Sequence, residues 1–382
     1  MKQYDYIITG AGCAGLSLLL RLLHEPAFAG KKILLADREP RRANDRTWCF
    51  WEKEPGFFEH LVYRKWDRLQ FHGSTFSRKL DIAPYQYKMI RGIDFYTYCF
   101  SEIRRYPNVS IVFGNVDAVT SAAEGALVTL NGETISASYV FNSILFEKPQ
   151  PAIKQHYLLQ HFKGRVIDSA EPVFDDSTAT LMDFRVAQDA GATFVYVMPF
   201  TARRALVEYT LFSPAVLEQD VYDKGLDDYI RRVLRVDVYA VIEEETGCIP
   251  MTNYPFPPYR GNIINIGTAG GQTRASSGYT FWFIQKRVQA IVNSLLLTDH
   301  PFTGDGLSSK KSKFYDSVLL HILAGGKLSG EDIFSRLFRK NRAQAIFRFL
   351  DDESSVKNDL SIIGSLPALP FLGAALAEGK PW

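Results

Sequence analysis

The chain has 382 residues, of which 46% are hydrophobic and 23% charged, and its formal net charge is +2 at pH 7. This length exceeds one typical domain and suggests two lobes built around a large apolar core. The composition is ordinary for a globular protein, and the near-neutral charge excludes a general nucleic-acid-binding function, so no nucleic-acid partner is expected.

The start of the chain and its apolar runs bear on localisation. Only five residues precede the first apolar strand, so we expect no signal peptide. The longest apolar run, Ser361–Leu376, is interrupted by Pro367 and Pro370, and is therefore not expected to span a membrane. The four cysteines are widely separated and the seven histidines show no ligand spacing. We expect reduced thiols, no metal site and a cytoplasmic location.

The most informative segment is Tyr6–Gly15, which reads YIITGAGCAG. An apolar strand breaks into Gly10, Gly12 and Gly15 at the G-x-G-x-x-G spacing, and an apolar helix follows. In this motif the first glycine permits the turn, the second admits a pyrophosphate, and the third lets the helix pack on the strand. The free N–H groups at the helix start favour phosphates. Asp37 ends the next strand, where an acid holds a ribose hydroxyl. This order predicts a bound dinucleotide. A motif so near the N-terminus favours non-covalent FAD, although nicotinamide enzymes also carry it there.

Further elements follow in chain order. The segment Arg46–Trp51 reads RTWCFW, residues 61–82 alternate like strands, and Arg91–Ile103 has a helical pattern. A small antiparallel element is predicted from three strands: Val109–Val112, Ala126–Leu130 and Tyr139–Asn142. Beyond a proline-containing boundary at Lys148–Ala152, a separate sheet is predicted from four strands and one helix: Tyr157–Lys163, Ala179–Arg185, Phe194–Pro199, Arg204–Leu211 and Val221–Leu234.

A second strand–glycine–helix unit lies near residue 267. The apolar strand Asn262–Ile266 ends at Gly267, and a glycine-rich loop through Gly278 precedes a helix from Tyr279 to about Leu297. Flavoproteins similar to p-hydroxybenzoate hydroxylase return to the nucleotide domain in this way, through a strand that ends in Gly-Asp. Thr268 replaces that aspartate here. We expect Gly267 and Gly278 to lie at the cofactor, with the helix N-terminus facing its phosphates or its ring.

These patterns predict an α/β fold with three parts. The first is a Rossmann-like FAD-binding domain of the p-hydroxybenzoate-hydroxylase or geranylgeranyl-reductase type, formed from residues 1–60, 85–150 and 260–300. The second is a mixed β-sheet substrate domain formed from residues 61–84 and 151–259. The third is a helical C-terminal region, residues 301–382, where apolar positions recur at helical spacing.

Several segments together resemble bacterial lycopene β-cyclases. They are RTWCFW at Arg46–Trp51, LMDFRVAQDAGATFVYVMPF at Leu181–Phe200, LVEYT at Leu206–Thr210, EETGCIP at Glu244–Pro250, GTAGGQTRASSGYTF at Gly267–Phe281 and ALPFLGAAL at Ala368–Leu376. The resemblance covers essentially the whole chain in order. It implies a flavoprotein that closes the ends of lycopene into β-ionone rings, forming γ-carotene and then β-carotene. It implies reduced FAD without net redox change, with NAD(P)H as the reductant. Because lycopene resides in the bilayer, we expect peripheral association with the cytoplasmic membrane surface.

Cyclisation of a polyene end needs an acid that stays protonated at neutral pH. Glu208 lies between apolar residues in a strand, which raises a carboxyl pKa, and it matches the first acid of the family motif. Tyr209 occupies the place of the family's second acid. Asp183 either orients Glu208, accepts the final proton or makes a strand-end hydrogen bond. Arg46 is expected to contact the flavin.

Other carboxylates and functions remain open. Glu244 and Glu245 precede Gly247-x-x-Pro250, which predicts a turn with structural carboxylates. One alternative function is an FAD-dependent monooxygenase or isoprenoid reductase, which would consume NAD(P)H in each turnover. Another is a non-enzymatic carotenoid or flavin carrier, which would not need Glu208.

Overall fold

The computed structural model describes residues 3–152, 155–304 and 307–379, without the side chains of 307–309. The predicted domain ranges 1–60, 151–259 and 301–382 therefore include residues that lie outside the described ones. The described strands are β1 Gln3–Thr9, β2 Ile33–Asp37, β3 Thr47–Glu52, β4 Arg64–Trp66, β5 Arg68–His72, β6 Ser77–Asp81, β7 Gln86–Arg91, β8 Val109–Phe113, β9 Val116–Ser121, β10 Ala126–Leu130, β11 Glu133–Asn142, β12 Tyr157–Ser169, β13 Thr178–Asp183, β14 Ala192–Pro199, β15 Arg204–Ser213, β16 Tyr239–Thr252, β17 Tyr259–Arg260 and β18 Ile263–Asn265. The described α-helices are α1 Cys13–Leu23, α2 Gly92–Ile103, α3 Gln219–Arg232, α4 Phe281–Thr298, α5 Leu307–Ala324, α6 Gly330–Lys340, α7 Ala343–Leu350, α8 Val356–Ile363 and α9 Ala368–Glu378.

One sheet carries the glycine motif, and its strand order is β17-β18-β11-β1-β2-β8. Strand β1 lies between β2 and β11, parallel to both, and β18 adds to β11 in parallel. Helices α1 and α4 pack together on one face over residues such as Ile8 and Leu35, whereas β9 and β10 extend the sheet from β11. The predicted return of the chain to the nucleotide sheet is therefore confirmed.

The prediction for Val109–Val112 was wrong in one respect. These residues belong to β8, which pairs in parallel with β2 at the edge of the main sheet and not with an antiparallel element. The apolar pattern of a short strand does not identify its partner, and here the strand continues the Rossmann order after α2. Strands β9, β10 and β11 do form the antiparallel element.

The second sheet has the order β16-β12-β15-β14-β13-β5-β6. Helix α3 covers one of its faces, with Leu226 and Ile230 packed on Val195 and Val207. Aromatic side chains on the opposite face, among them Phe194 and Phe212, form a core with the C-terminal helices. A small third sheet, β3-β7-β4, lies beside this core. Its strand β4 falls within the range predicted for the substrate sheet, yet it pairs with β7.

The turn predicted at Gly247–Pro250 was wrong, because this segment lies within the long strand β16. Strand β16 is at the edge of its sheet, where one side of the backbone needs no partner, and this is where glycine and proline are tolerated. Gly247 is required by packing: a Cβ here would lie 2.2 Å from Cζ of Phe162 on β12. The edge position also explains why β16 lacks the alternation that would have identified it as a strand.

The C-terminal helices end in a polar contact with the second sheet. Glu378 at the end of α9 accepts hydrogen bonds from His156 and His321, each at 2.8 Å. Within the described ranges, no helix combines the length and the apolar character needed to cross a bilayer.

Candidate active site

The three motif glycines have three different environments. Gly10 has φ +97°, and a Cβ here would lie 2.1 Å from Oγ of Ser143. Gly12, at the N-terminus of α1, faces open space, with no atom within 4 Å of a Cβ. At Gly15 a Cβ would lie 2.0 Å from the carbonyl oxygen of Gly10. Gly10 thus allows the turn, Gly12 leaves space for a ligand, and Gly15 allows the helix to pack closely, as the motif requires.

Asp37 ends β2 directly beside this turn. Its Oδ2 accepts a hydrogen bond from the N–H of Ala11 at 2.6 Å and lies 3.2 Å from Nη2 of Arg41. The carboxylate therefore fixes the glycine turn to the end of β2. A carboxylate has further acceptor sites, so its predicted role as the ribose ligand stays a prediction.

The second glycine unit returns to the same place. Gly267 has φ +62°, and a Cβ here would lie 3.0 Å from Cβ of Ala14, at the start of α1. Gly278 has φ +70°, and its Cβ would collide with Oε1 of Gln160. Both positions favour glycine, because L side chains rarely adopt this backbone conformation.

A cavity of about 240 Å³ lies between the nucleotide sheet and the second sheet, and we call it the inner cavity. It brings together the predicted residues Arg46, Glu208 and Gly278, and Thr268 also lines it. Two buried polar atoms at this place, Oε1 of Gln160 and Oγ of Ser277, have no hydrogen-bond partner among the described residues. A buried acceptor or hydroxyl without a hydrogen-bond partner costs free energy. A polar ring system bound in the inner cavity could supply the missing partners.

A second cavity of about 370 Å³ lies between the second sheet and the C-terminal helices, and we call it the apolar cavity. Its walls are mainly aromatic and aliphatic, and they include Trp51, Leu181, Phe212, Phe334, Leu337, Phe338, Phe347, Leu360, Phe371 and Leu372. The apolar and inner cavities share the lining residues Tyr196, Ser277 and Tyr279. The two cavities therefore adjoin at these three residues.

Glu208 lies on β15 and lines the inner cavity beside Tyr196, its register partner on β14, and only 8% of the residue is exposed. Thr210 donates a hydrogen bond to its Oε1 at 2.9 Å. Burial, and next the charge of Glu245, raise the pKa of Glu208 well above its usual range. The side chain is thus suited to carry a proton at neutral pH in an apolar setting.

Glu245 is the partner that the sequence analysis missed. Strand β12 lies between β15 and β16, and Gly164 on β12 is paired with Glu208 on one side and Glu245 on the other. Thr47 donates a hydrogen bond to Oε2 of Glu245 at 2.8 Å. Burial also raises the pKa of Glu245. The segment EETGCIP contained the signal, but the assignment of a turn concealed which face Glu245 occupies.

Asp183 is not part of this arrangement. It is paired in register with Val195, which packs against α3, and Tyr229 of α3 donates a hydrogen bond to its Oδ2 at 2.7 Å. Arg185 forms an ion pair with the same carboxylate at 2.5 Å. Asp183 therefore faces the opposite side of the sheet from Glu208, which corrects the prediction that it orients Glu208 or accepts the final proton.

Tyr209 also faces α3, because side chains alternate along a strand. It lies in the core with Tyr222 and Leu226, and a Cβ at Gly225 would lie 2.7 Å from its ring. The residue that follows Glu208 therefore does not face the inner cavity. Of the two tryptophans in RTWCFW, Trp48 lines the inner cavity and Trp51 lines the apolar cavity.

Comparison with solved structures establishes the fold. A geranylgeranyl bacteriochlorophyll reductase-like protein from Thermoplasma acidophilum aligns with a TM-score of 0.65 at 14% identity, covering 98% of each chain. A Klebsiella pneumoniae HpxO variant complexed with FAD aligns with a TM-score of 0.59 at 14% identity, covering 96% of this chain and 100% of that chain. At such low identity the likeness shows the fold alone, and it confirms the predicted α/β fold of the geranylgeranyl-reductase type.

Comparison with curated sequences identifies the family. Lycopene beta-cyclase of Pantoea ananas is 26% identical over 256 residues, which cover 65% of this chain and 63% of that protein. A chloroplastic neoxanthin synthase of Solanum tuberosum is 27% identical over 301 residues, covering 72% of this chain and 57% of that protein. The matches thus span less than two thirds of these relatives. A family model described as lycopene cyclase protein matches residues 5–376, and the chain belongs to this family.

Proposed function

We propose that this protein is a flavin-dependent lycopene β-cyclase that forms β-ionone rings by acid-initiated cyclisation. The observation that carries the proposal is the position of Glu208, a buried carboxyl in the wall of the inner cavity, paired across the sheet with Tyr196, which lines both cavities. The family and the cyclase relatives support the substrate class. The aromatic and aliphatic lining of the apolar cavity suits a polyene chain.

The residues of the nucleotide sheet fit FAD. The open space at Gly12 and the N-terminus of α1 would hold the pyrophosphate, and Asp37 would hold the ribose. Arg46, Thr268 and Gly278 line the inner cavity, where the flavin ring would lie. When bound in reduced form, the flavin supplies negative charge that stabilises a neighbouring cation. NAD(P)H is the proposed reductant.

The chain's own residues account for the rest of the chemistry. The apolar cavity holds the polyene with one end at Glu208 and excludes water from it. Glu208 gives its proton to the terminal double bond, the internal double bond closes the ring, and the ring cation then loses a neighbouring proton. Atoms and electrons balance without net oxidation. The rings of Tyr196 and Tyr279, which border both cavities, are placed to stabilise the cation by cation–π attraction.

We further propose that the apolar cavity opens towards a membrane surface on the cytoplasmic side. Leu360 and Leu372 line this cavity and are 62% and 61% exposed, so they mark its mouth. Leu369 and Leu376 on α9 are each 84% exposed close to it in the chain. An exposed apolar group of this kind is typical of an interaction surface, and a bilayer is where the substrate resides.

The decisive experiment is pigment analysis of lycopene-accumulating cells that express the chain. We expect γ-carotene and β-carotene from the parent protein and only lycopene from Glu208→Gln. With purified enzyme in deuterated water, one deuterium is expected at C2 of each new ring. Stoichiometric oxidation of NAD(P)H, or an unlabelled ring, would instead indicate a reductase or a hydride-initiated route.

A further inference from the structure

Gly164 creates a gap between two glutamates. It is paired in register with both Glu208 and Glu245, so the three positions lie in one row across three adjacent strands. A Cβ at Gly164 would lie 3.2 Å from Cγ of Glu245, 3.5 Å from Cβ of Glu208 and 3.0 Å from Leu206. Because residue 164 has no side chain, the two glutamates can approach each other above β12.

The hydrogen bonds of the two carboxyls are complementary. Thr210 satisfies Oε1 of Glu208, and Thr47 satisfies Oε2 of Glu245. The other oxygen of Glu245, Oε1, is buried and accepts no hydrogen bond from any described residue. A buried acceptor without a donor costs free energy. A proton on the neighbouring Glu208 is the donor that relieves this cost.

We propose that Glu245 is a positioning residue for the reaction, whose ionised carboxylate keeps one shared proton on Glu208. The inference rests on the proposed function, because it concerns the same acid. The pair starts with one proton. The O–H bond of Glu208 breaks as the new C–H bond forms, and later a ring C–H bond breaks as an O–H bond re-forms on the pair. The pair is then in its starting state, and no outside base is consumed.

Two carboxyls this close are not expected to ionise together, as in other carboxylate pairs that share a proton. The other titratable or charged groups around the pair are few. They come from β3 and the segment before it, from β14, from the loop before α4 and from β16 itself: Cys49, Asp45, Arg46, Tyr196, Tyr279 and Glu243. Besides burial, the charges of Glu243 and Asp45 act on Glu245 and raise its pKa, whereas Glu245 is the carboxylate that raises the pKa of Glu208.

The test compares Glu245→Gln with Glu244→Gln. Glu244 is the matched control, since it lies next in the same strand but faces Arg165, with Nε to Oε1 at 2.8 Å, and its side chain is 45% exposed. In Glu245→Gln the alkaline limb of the cyclisation rate should move to lower pH by at least about one unit, because the neighbouring charge is gone. In Glu244→Gln the limb should stay where it is. A purely structural role for Glu245 would lower the rate without moving the limb.

A second measurement does not depend on catalysis. In flavin-free protein, infrared difference spectra against Glu208→Gln identify the protonated carboxyl of Glu208 and titrate it. We expect this titration to shift to lower pH in Glu245→Gln. An unchanged titration would overturn the inference, even if the protein has no cyclase activity at all. If the titration shifts as expected in Glu245→Gln but the parent protein converts no lycopene, the carboxyl pair stands and the proposed function fails.

Gly164→Ala gives an independent variant in case Glu245→Gln folds poorly. Its methyl group would enter the gap, and we expect a rate at least tenfold lower together with a similar shift of the alkaline limb. Gly30→Ala is the control, because a Cβ at Gly30 meets no atom within 4 Å. A Gly164→Ala protein with the parent's rate and pH profile would contradict the inference.

Discussion

Tyr196 on β14 is paired directly with Glu208 on β15, so its side chain projects from the same face of the sheet beside the acid. We expect Tyr196→Ala to lower the cyclisation rate by about 10-fold or more, because a ring face next to a cation contributes roughly 1–2 kcal/mol. Tyr196→Phe keeps the ring and should stay within about threefold of the parent in rate, since the same ring–cation attraction remains. The measurement is single-turnover formation of β-rings with reduced flavin. Equal losses in both variants would assign the role to the hydroxyl instead.

Glu208 and Asp183 should respond differently to neutral substitution. Glu208→Gln keeps the shape and removes the proton, so we expect the rate to fall by about 10²–10⁴-fold with the fold intact. Asp183→Asn breaks the ion pair with Arg185 inside the sheet and should cost about 1–3 kcal/mol of stability. Thermal unfolding and the rate per folded molecule separate the two effects. An Asp183→Asn protein that is as stable as the parent but inactive would show that Asp183 takes part in the reaction.

Asp351 should make stability depend on pH. It accepts a hydrogen bond from Trp51 at 2.8 Å, and burial raises its pKa from 3.8 to about 7. The folded state therefore binds a proton that the unfolded state has lost between about pH 4 and 7, and this contribution to stability disappears as the pH rises through that window. Asp351→Asn keeps the acceptor for Trp51 without the titration.

We expect Asp351→Asn to gain stability relative to the parent as the pH is raised from 5 to 8, by the order of 2 kcal/mol. Chemical denaturation at several pH values measures the difference. Asp237→Asn, at an exposed position, serves as the control and should show no such trend. A difference between parent and Asp351→Asn that does not vary with pH would contradict the raised pKa.

The exposed leucines of α9 should control binding to vesicles. We expect Leu369→Asp combined with Leu376→Asp to abolish flotation with liposomes that contain anionic lipid, because each leucine is 84% exposed. Leu297→Asp is the matched control, as Leu297 is 83% exposed on α4 and does not line the apolar cavity. Equal flotation of the parent, the double variant and Leu297→Asp would show that the protein contacts the membrane through a surface other than α9. Failure of the parent to float with any lipid composition would refute membrane association.

Much of the nucleotide-binding half follows from the sequence. The glycine spacing, the acid after β2 and the distant return at Gly267 are local patterns with distinct backbone requirements, and the structure has each of them in place. Glu208 could be proposed from the sequence because it lies in an apolar strand and also matches the first acid of the family motif. The predicted pairing of β8 was wrong, because the sequence of a short apolar strand does not identify the strand beside it.

The second carboxyl could not be found in the same way. The proximity of Glu208 and Glu245 depends on which strand lies between them and on Gly164 having no side chain. These facts concern register across strands that are distant in the chain, and a one-residue slip would turn Glu245 to the other face. The prediction for Asp183 was wrong for the same reason. Apolar neighbours in a strand indicate that a residue is buried but not which face of the sheet it occupies.

The place of β18 in the nucleotide sheet has a consequence for how the protein is made. Strands β1 and β2 and the glycine turn leave the ribosome early, whereas β18 and α4, which complete that sheet and cover α1, are synthesised long after. Contacts of such long range form slowly and only once both partners exist. The nucleotide sheet and its helical cover are therefore complete only after α4, which ends at Thr298, has left the ribosome, and until then the apolar surface of α1 lacks the cover that α4 provides.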